Sequence, residues 1–357
     1  MNREAEITKR FEDAQNALVL QASDLSLETI AAMVEAESID IRPQFQRRER
    51  WDIARQSALI ESFLLNIPVP PVYLAEDDFG KYSVIDGKQR ITAIANYMRN
   101  GYQLNFIDRF PEVQGAYFSD LPKRLQNALT VRPYIRAITI LRQSGRQTKY
   151  EVFHRLNSGG QPLNAQEIRN VIYRGLLNDA LIELSKNSFL RKQLKIKDDR
   201  SPAYQAMTDV EFVLRYLTLT EEWQNFSSDY RKSMDNFMER HEDASSREVA
   251  EYKLSFQRSI GYCESIWGEF AFKRPDKNSW RDQALAGMYD AQMVAIGLLT
   301  DKQAEAAVRR RTSVIDGTRD LFNDDEFETA VRVATNTPSR VRLRVERMYD
   351  LLRTVGR

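Results

Sequence analysis

A cluster of hydrogen-bond donors follows an Asp-Gly turn in the segment from Tyr82 to Ile94. The segment predicts a short β-branched strand, the turn and then a helix. The apolar residues of that helix share one face: Ile91, Ile94, Ala95 and Met98. A helix N-terminus carries unpaired backbone N–H groups and a positive dipole end, which together suit an anion.

The first residues of this helix strengthen the same prediction. Lys88, Gln89 and Arg90 add side-chain donors to the N-terminus, and Gly87 lets the backbone approach a ligand closely. A phosphate is therefore the expected ligand, as part of a nucleotide or nucleic acid. The alternative is an ordinary turn and cap whose basic side chains only face water.

A second group of polar residues lies between residues 151 and 160. Asn157 precedes a Gly-Gly turn and is predicted to be functional. Glu151 and Arg155 are one helical turn apart, so an ordinary surface ion pair is preferred to a metal role for Glu151.

The elements that would position these residues are mixed in the first 145 residues. Helices are predicted within Glu4 to Gln21, from about Ser26, and from about Ala54 to Leu65. Strands are predicted at Ile39 to Ile41, Val72 to Glu76, Lys81 to Ile85 and about Tyr134 to Leu141. This mixture of predicted strands and helices indicates a small sheet with helices in residues 1–145.

The remaining residues, 146–357, show only helical periodicity. One long apolar stripe consists of Tyr252, Phe256, Ile260, Cys263 and Trp267. Such stripes predict helix-packing core, not cofactor sites. The fold class is therefore α+β, with an all-helical domain at 146–357.

Composition limits the class of protein. The 357 residues carry 52 Lys and Arg against 51 Asp and Glu, so attraction to nucleic acid would have to come from local patches. The single cysteine fits a reducing cytoplasm. Because the start is polar and no apolar run is long, neither a secretory signal nor a membrane partner is expected.

Four segments together resemble a known family. They are Phe45 to Trp51, Leu59 to Pro71, Ile85 to Arg90 and Phe153 to Leu163. In order and spacing they look like the N-terminal domain family of GmrSD-type restriction endonucleases. The resemblance is strongest from about Ile39 to Asn170 and implies a fold like ParB and sulfiredoxin.

The resemblance implies a nucleotide-binding and hydrolysing box on Asp86, Gly87, Gln89 and Arg90. Lys88 replaces the glutamine more usual in the family, which keeps a donor and adds charge. Arg90 and Lys88 would hold an NTP, and Asp86 would bind Mg²⁺ or orient water.

A loop before this box is expected to complete the site. Arg47 and Arg48 would supply further cations over the same phosphates. Gln46 and Gln89 would orient water or contact a base, and Asn157 would form a second wall.

Nuclease motifs are not evident in the sequence. Many relatives carry a C-terminal HNH nuclease domain, which needs paired histidines, whereas this sequence contains only His154 and His241. Nuclease activity is therefore not expected of this chain alone, and any NTP hydrolysis would not use a P-loop.

The last predicted helix offers a possible contact with DNA. Arg340, Arg344 and Arg347 share one face, which would contact several phosphates in a salt-dependent way. The alternatives are a solvated helix face or a surface for a partner protein.

The sequence thus predicts a cytoplasmic, nucleotide-dependent sensor or regulatory subunit of a bacterial anti-phage or DNA-restriction system. Its partners would be a nucleotide, DNA, and a separate effector or a second copy of the chain. The alternative is a non-catalytic DNA- or protein-binding adaptor with a ParB-like pocket.

Overall fold

The structure is a computed structural model that describes residues 3–41, 51–156, 164–277 and 279–355. It divides into two compact units, residues 1–172 and 173–357. The α+β prediction is confirmed, since a mixed sheet lies in the first unit and the second is mainly helical. The sequence pattern changes at residue 145, whereas the first unit continues to Ile172.

The first unit contains a five-stranded sheet. Its strands are β1 (Leu20–Ser26), β2 (Ile39–Asp40), β3 (Val72–Asp78), β4 (Lys81–Asp86) and β5 (Tyr134–Ile140). Their order is β1-β5-β3-β4-β2. The β1–β5 and β3–β4 pairs are antiparallel, whereas β5–β3 and β4–β2 are parallel.

Helices cover both faces of this sheet. They are α1 (Arg3–Asn16), α2 (Leu27–Glu35), α3 (Ile53–Leu64), α4 (Lys88–Met98), α5 (Lys123–Val131), α6 (Arg146–Leu156) and α7 (Ala165–Ile172). Successive strand residues point to opposite faces. Val84 therefore joins the core that contains α2, α3 and α4, whereas Ile85 packs against Ile168 and Val171 of α7.

The second unit is built from eleven described helices and a two-stranded hairpin. The helices are α8 (Leu176–Leu184), α9 (Ser188–Gln193), α10 (Pro202–Gln205), α11 (Thr208–Glu222), α12 (Tyr230–Arg240), α13 (Ser246–Trp267), α14 (Ala286–Leu298), α15 (Asp301–Arg309), α16 (Arg311–Leu321), α17 (Asp325–Arg332) and α18 (Pro338–Val355). The hairpin pairs β6 (Pro275–Asp276) with β7 (Ser279–Trp280).

Helix α14 is the centre of the second unit. All residues from Gly287 to Ile296 are buried, and α14 packs against α11, α13 and α18. Its buried Gln292 accepts a hydrogen bond from the backbone N–H of Phe272 at 2.7 Å. The oxygen of this buried amide is thus paired, whereas its Nε2 is buried without a hydrogen-bond partner among the described residues.

None of the helices that the structure describes has the length and apolar content needed to cross a bilayer.

Candidate functional site

The strand-to-helix junction of β4 and α4 brings the predicted phosphate-binding residues together. Strand β4 ends at Asp86, and Gly87 caps α4 with a φ of +94°. A Cβ at this position would lie 2.5 Å from Val72 Cγ1 and 3.0 Å from Arg90 Nη2. Glycine is therefore required both by its backbone conformation and by the lack of space.

Arg90 connects the junction to the neighbouring strand. Its Nη2 donates to Asp86 Oδ2 at 2.8 Å and to the carbonyl oxygen of Pro71 at 3.1 Å. The side chain is only 16% exposed, whereas that of Asp86 is 42% exposed. Arg90 is thus held in one orientation beside a carboxylate that solvent can reach.

One donor of Arg90 has no partner in the described part of the chain. The Nε atom is buried there and makes no hydrogen bond. A buried unsatisfied donor costs about 1–3 kcal/mol, so such groups are rare in folded proteins. An anionic ligand at the α4 N-terminus would meet a cation that is already oriented.

Gln89 contacts the main chain of Trp51. Its Oε1 accepts the backbone N–H of Trp51 at 3.1 Å, and Gln56 Nε2 donates to the Trp51 carbonyl at 2.9 Å. Asp52 then caps α3 by accepting the N–H of Arg55 at 2.8 Å. The two glutamines therefore fix the start of α3 beside the start of α4.

Lys88 is the first residue of α4 and is half-buried. Its position places an ammonium group at the same helix end as the guanidinium of Arg90.

The chemical groups at this junction are of the kinds that bind the phosphates of a nucleotide and its metal ion. A helix N-terminus with a close-approach glycine and two cations suits phosphate oxygens. Magnesium bound with a nucleotide needs only one or two carboxylates because phosphates and water complete its shell, and Asp86 would supply one. Elsewhere among the described residues, no group of three or more His, Cys, Asp or Glu side chains is arranged to hold a metal.

Four predicted ligands lie outside the described residues: Gln46, Arg47, Arg48 and Asn157. Glu151 and Arg155 are described. They form an i, i+4 ion pair at 3.8 Å with both side chains exposed, which is the surface arrangement preferred from the sequence.

The three arginines of α18 do not share one exposed face. Arg344 is completely buried and donates to Asp290 Oδ2 at 2.5 Å, so it has no surface to offer DNA. Arg347 is 51% exposed and lies 3.6 Å from Asp324. Arg340 is half-buried and donates to the carbonyl of Val333. Of the three predicted DNA contacts, this correction leaves Arg347 exposed and Arg340 partly exposed. Arg344 is in the core because a buried carboxylate pairs with it.

Sequence reasoning did not assign a site role to Trp51, Pro71 or Val72. Trp51 and Pro71 occur in the sequence analysis only within segments of the family resemblance, and Val72 only as the start of a predicted strand. The structure shows that Pro71 offers its carbonyl to Arg90 and that Val72 closes the space around Gly87. The segments that contain Trp51 and Pro71 both belong to the family resemblance. That resemblance is the sequence signal that could have indicated a role for them in the site.

Comparison with protein families gives a match to the GmrSD restriction endonuclease, N-terminal domain, over residues 30–174. Comparisons with curated proteins and with solved structures give no match. The matched range contains the Asp86–Arg90 junction, Trp51 and Pro71. Residues 30–174 of this chain are therefore similar to the GmrSD restriction endonuclease N-terminal domain.

Proposed function

We propose that this chain is a nucleotide-dependent component of a bacterial restriction or anti-phage system. The GmrSD N-terminal domain supports the defence context. The proposed role is to bind an NTP with Mg²⁺ in the first unit, to hydrolyse it slowly, and to act as a sensor or regulatory subunit. The second unit would contact DNA or a separate effector.

The observation that carries this proposal is the fixed Arg90 at the N-terminus of α4. A guanidinium that is 16% exposed and oriented by Asp86 and Pro71 loses little freedom when it binds phosphate. Gly87 lets Val72 and Arg90 pack against its backbone, where a Cβ would lie 2.5 Å from Val72 Cγ1 and 3.0 Å from Arg90 Nη2. The backbone N–H groups of the first turn of α4 would add to the same binding surface.

Hydrolysis would use residues of the same junction. Magnesium would supply charge neutralisation on the phosphates when bound. Asp86 is exposed enough to bind that ion or to orient water, and Arg90 would stabilise charge on the transferred phosphoryl group. Lys88 would contribute a second cation, and its ammonium group would influence which nucleotide is preferred.

One experiment separates binding from turnover. We would measure NTP binding by calorimetry and phosphate release with Mg²⁺ for the wild type, Asp86→Ala and Arg90→Ala. Arg124→Ala, an exposed arginine of α5, is the matched control. Loss of turnover in both site variants but not in the control would support hydrolysis at this junction.

The alternative function is a non-catalytic adaptor, and one observation favours it. Asp86 and Gln89 both already contact protein groups, namely Arg90 and the Trp51 backbone. These contacts suit a rigid binding pocket and leave less freedom to orient water. An intact wild-type binding isotherm without any phosphate release would favour the adaptor.

A further inference from the structure

Helix α1 has an apolar face that is exposed to solvent. None of its fourteen residues, all of which the structure describes, is buried. Ile7 is 60% exposed and Phe11 is 63% exposed, and Ala14 continues the same stripe one turn later. Because a free helix of this length is only marginally stable in water, a surface that receives the stripe is expected.

The same unit contains an open apolar groove. It lies between α2 and the end of α5, has a volume of about 610 Å³, and is lined by Ala32, Met33, Ala36 and Val131. Val131 is 75% exposed. Ala32 and Ala36 are one helical turn apart, so a second helix can approach α2 closely between larger side chains.

The charges beside the groove and the stripe are complementary. Glu28 lines the groove, and Arg99 binds both Glu28 at 2.9 Å and Glu35 at 3.0 Å. Two carboxylates thus share one guanidinium, which leaves this ion cluster net negative. On α1 the side chains that flank one edge of the stripe are Arg3 and Arg10, one above the other at i, i+7.

Helix α1 does not occupy the groove of its own copy, since Ile7, Phe11 and Val131 are each at least 60% exposed. The start of β1 is fixed because Val19 N–H donates to Ser144 Oγ at 2.9 Å and the Val19 carbonyl accepts from Leu141. Ser26, at the groove edge, lies about 23 Å from Val19 along the strand. Phe11 can extend at most about 18 Å from Val19, since five of the intervening residues are helical.

We propose that α1 of one copy docks into the α2–α5 groove of a second copy. The exchange is reciprocal, so one twofold interface fills two grooves and covers two α1 stripes. The occupant of the groove is therefore the Ile7–Phe11–Ala14 stripe, with Arg10 beside the Glu28 cluster.

A cysteine pair tests this assignment directly in the full chain. Phe11→Cys is combined with Val131→Cys, and Lys9→Cys with Val131→Cys is the matched control because Lys9 is on the opposite side of α1. The native Cys263 is buried, so it should not compete. Mild oxidation should give a covalent dimer for the first pair and little for the control.

Light scattering at tens of micromolar provides the second measurement. The wild type should have the mass of a dimer. Phe11→Asp and Ala32→Glu should each be monomeric and still show a cooperative thermal unfolding transition. A monomeric wild type would overturn the proposal. So would an intramolecular Phe11→Cys–Val131→Cys bond, or a covalent dimer from Phe11→Cys alone, which would indicate pairing between two α1 helices.

Discussion

At the residue scale, Arg90 is the side chain on which the proposed site depends most. It is oriented by Asp86 and Pro71, and its Nε is an unused donor within the described residues. Few arginines would bind phosphate with so little loss of side-chain freedom.

Replacing Arg90 should therefore weaken NTP binding strongly. Arg90→Ala should cost about 3 kcal/mol, more than a hundredfold in Kd, because the oriented guanidinium that is proposed to bind phosphate is lost. Arg90→Lys should be intermediate, since an ammonium cannot bridge Asp86, Pro71 and a phosphate together. Calorimetry with Arg124→Ala as control checks this, and wild-type affinity in Arg90→Ala would contradict it.

Comparison of Gly87 with Gly115 separates the effect of backbone conformation from the effect of steric crowding around a new Cβ. Gly115 has a φ of +80° and open space where a Cβ would stand, whereas at Gly87 a Cβ would meet Val72 at 2.5 Å. Gly115→Ala should lose about 1 kcal/mol of unfolding free energy from backbone strain. Gly87→Ala should lose clearly more and should also weaken NTP binding. Urea unfolding of both variants gives the comparison, and equal losses would show that space at Gly87 is unimportant.

The sequence predicted these residues as a group but not their contacts. Asp-Gly followed by a cationic first turn is a local signal, and it correctly placed the α4 N-terminus after Gly87. The carbonyl of Pro71 and the methyl groups of Val72 come from another strand. Such neighbours depend on sheet register, which local patterns do not determine.

At the element scale, Gln89 positions α3 relative to α4. Its carboxamide accepts the Trp51 N–H, which holds the start of α3 beside the turn that is proposed to bind phosphate. This contact adds a positioning role to the catalytic one expected from the sequence.

Gln89→Ala should therefore change binding more than the chemical step. We expect KM for NTP to rise several-fold with kcat nearly unchanged, because Trp51 loses a hydrogen bond but Arg90 and Asp86 remain. Gln89→Glu should restore the acceptor and much of the KM. A large fall in kcat with constant KM would instead assign Gln89 to the reaction itself.

A buried ion network joins the helices of the second unit. Asp290 of α14 accepts from Arg215 of α11 at 2.6 Å, from Arg344 of α18 at 2.5 Å and from the Tyr230 hydroxyl at 2.9 Å. Burial would raise the pKa of Asp290, but the charges of Arg215 and Arg344 outweigh it and lower that pKa below its usual value. The carboxylate is therefore ionised in the folded chain.

Asp290→Asn should lower the free energy of unfolding by about 3–5 kcal/mol, because two buried guanidinium groups lose their counter-charge. Asp350→Asn is the control, since Asp350 is 61% exposed and its pair with Arg353 should contribute little. Since the pKa is lowered by folding, the Asp290 contribution is complete above the unfolded pKa of about 4 and is lost as pH falls through the folded value. Thermal melts from pH 7 downward should fall more steeply for wild type than for Asp290→Asn.

Strand and helix positions were predicted well where one face is apolar. Predicted strands at Val72–Glu76 and Lys81–Ile85 correspond to β3 and β4. Strand β1 was not predicted, because its sequence Leu-Gln-Ala-Ser-Asp-Leu-Ser is polar and mostly exposed. An edge strand of this kind is held by backbone pairing to β5, which leaves no hydrophobic alternation to detect.

At the scale of the whole molecule, the two units carry different parts of the proposed function. The family match covers residues 30–174, so it supports a restriction or anti-phage context for the first unit. Nucleotide binding by that unit and DNA or effector binding by the second unit are proposals, each with its own test.

DNA binding by the second unit can be tested through Arg340 and Arg347. If both contact phosphates, each Ala substitution should reduce the slope of log K against log salt by about one. Arg247→Ala is the control, because Arg247 is 90% exposed on α13. Fluorescence anisotropy at several salt concentrations gives the slopes, and unchanged slopes in both variants would exclude α18 as the DNA surface.

Fold class could be predicted from the sequence, whereas the burial of Arg344 could not. Its spacing with Arg340 and Arg347 indicates one helix face, but the partner Asp290 lies 54 residues away in the chain. Only tertiary packing reveals such a pair, because a buried charge becomes acceptable when its counter-charge is buried with it.

The most direct test of the central claim is calorimetric titration of the wild type and Arg90→Ala with a panel of NTPs and Mg²⁺. Saturable binding of at least one NTP to the wild type, reduced more than a hundredfold in Arg90→Ala and unchanged in Arg124→Ala, is the predicted result. Absence of binding to the wild type, or equal binding to all three proteins, would contradict a nucleotide site at the β4–α4 junction.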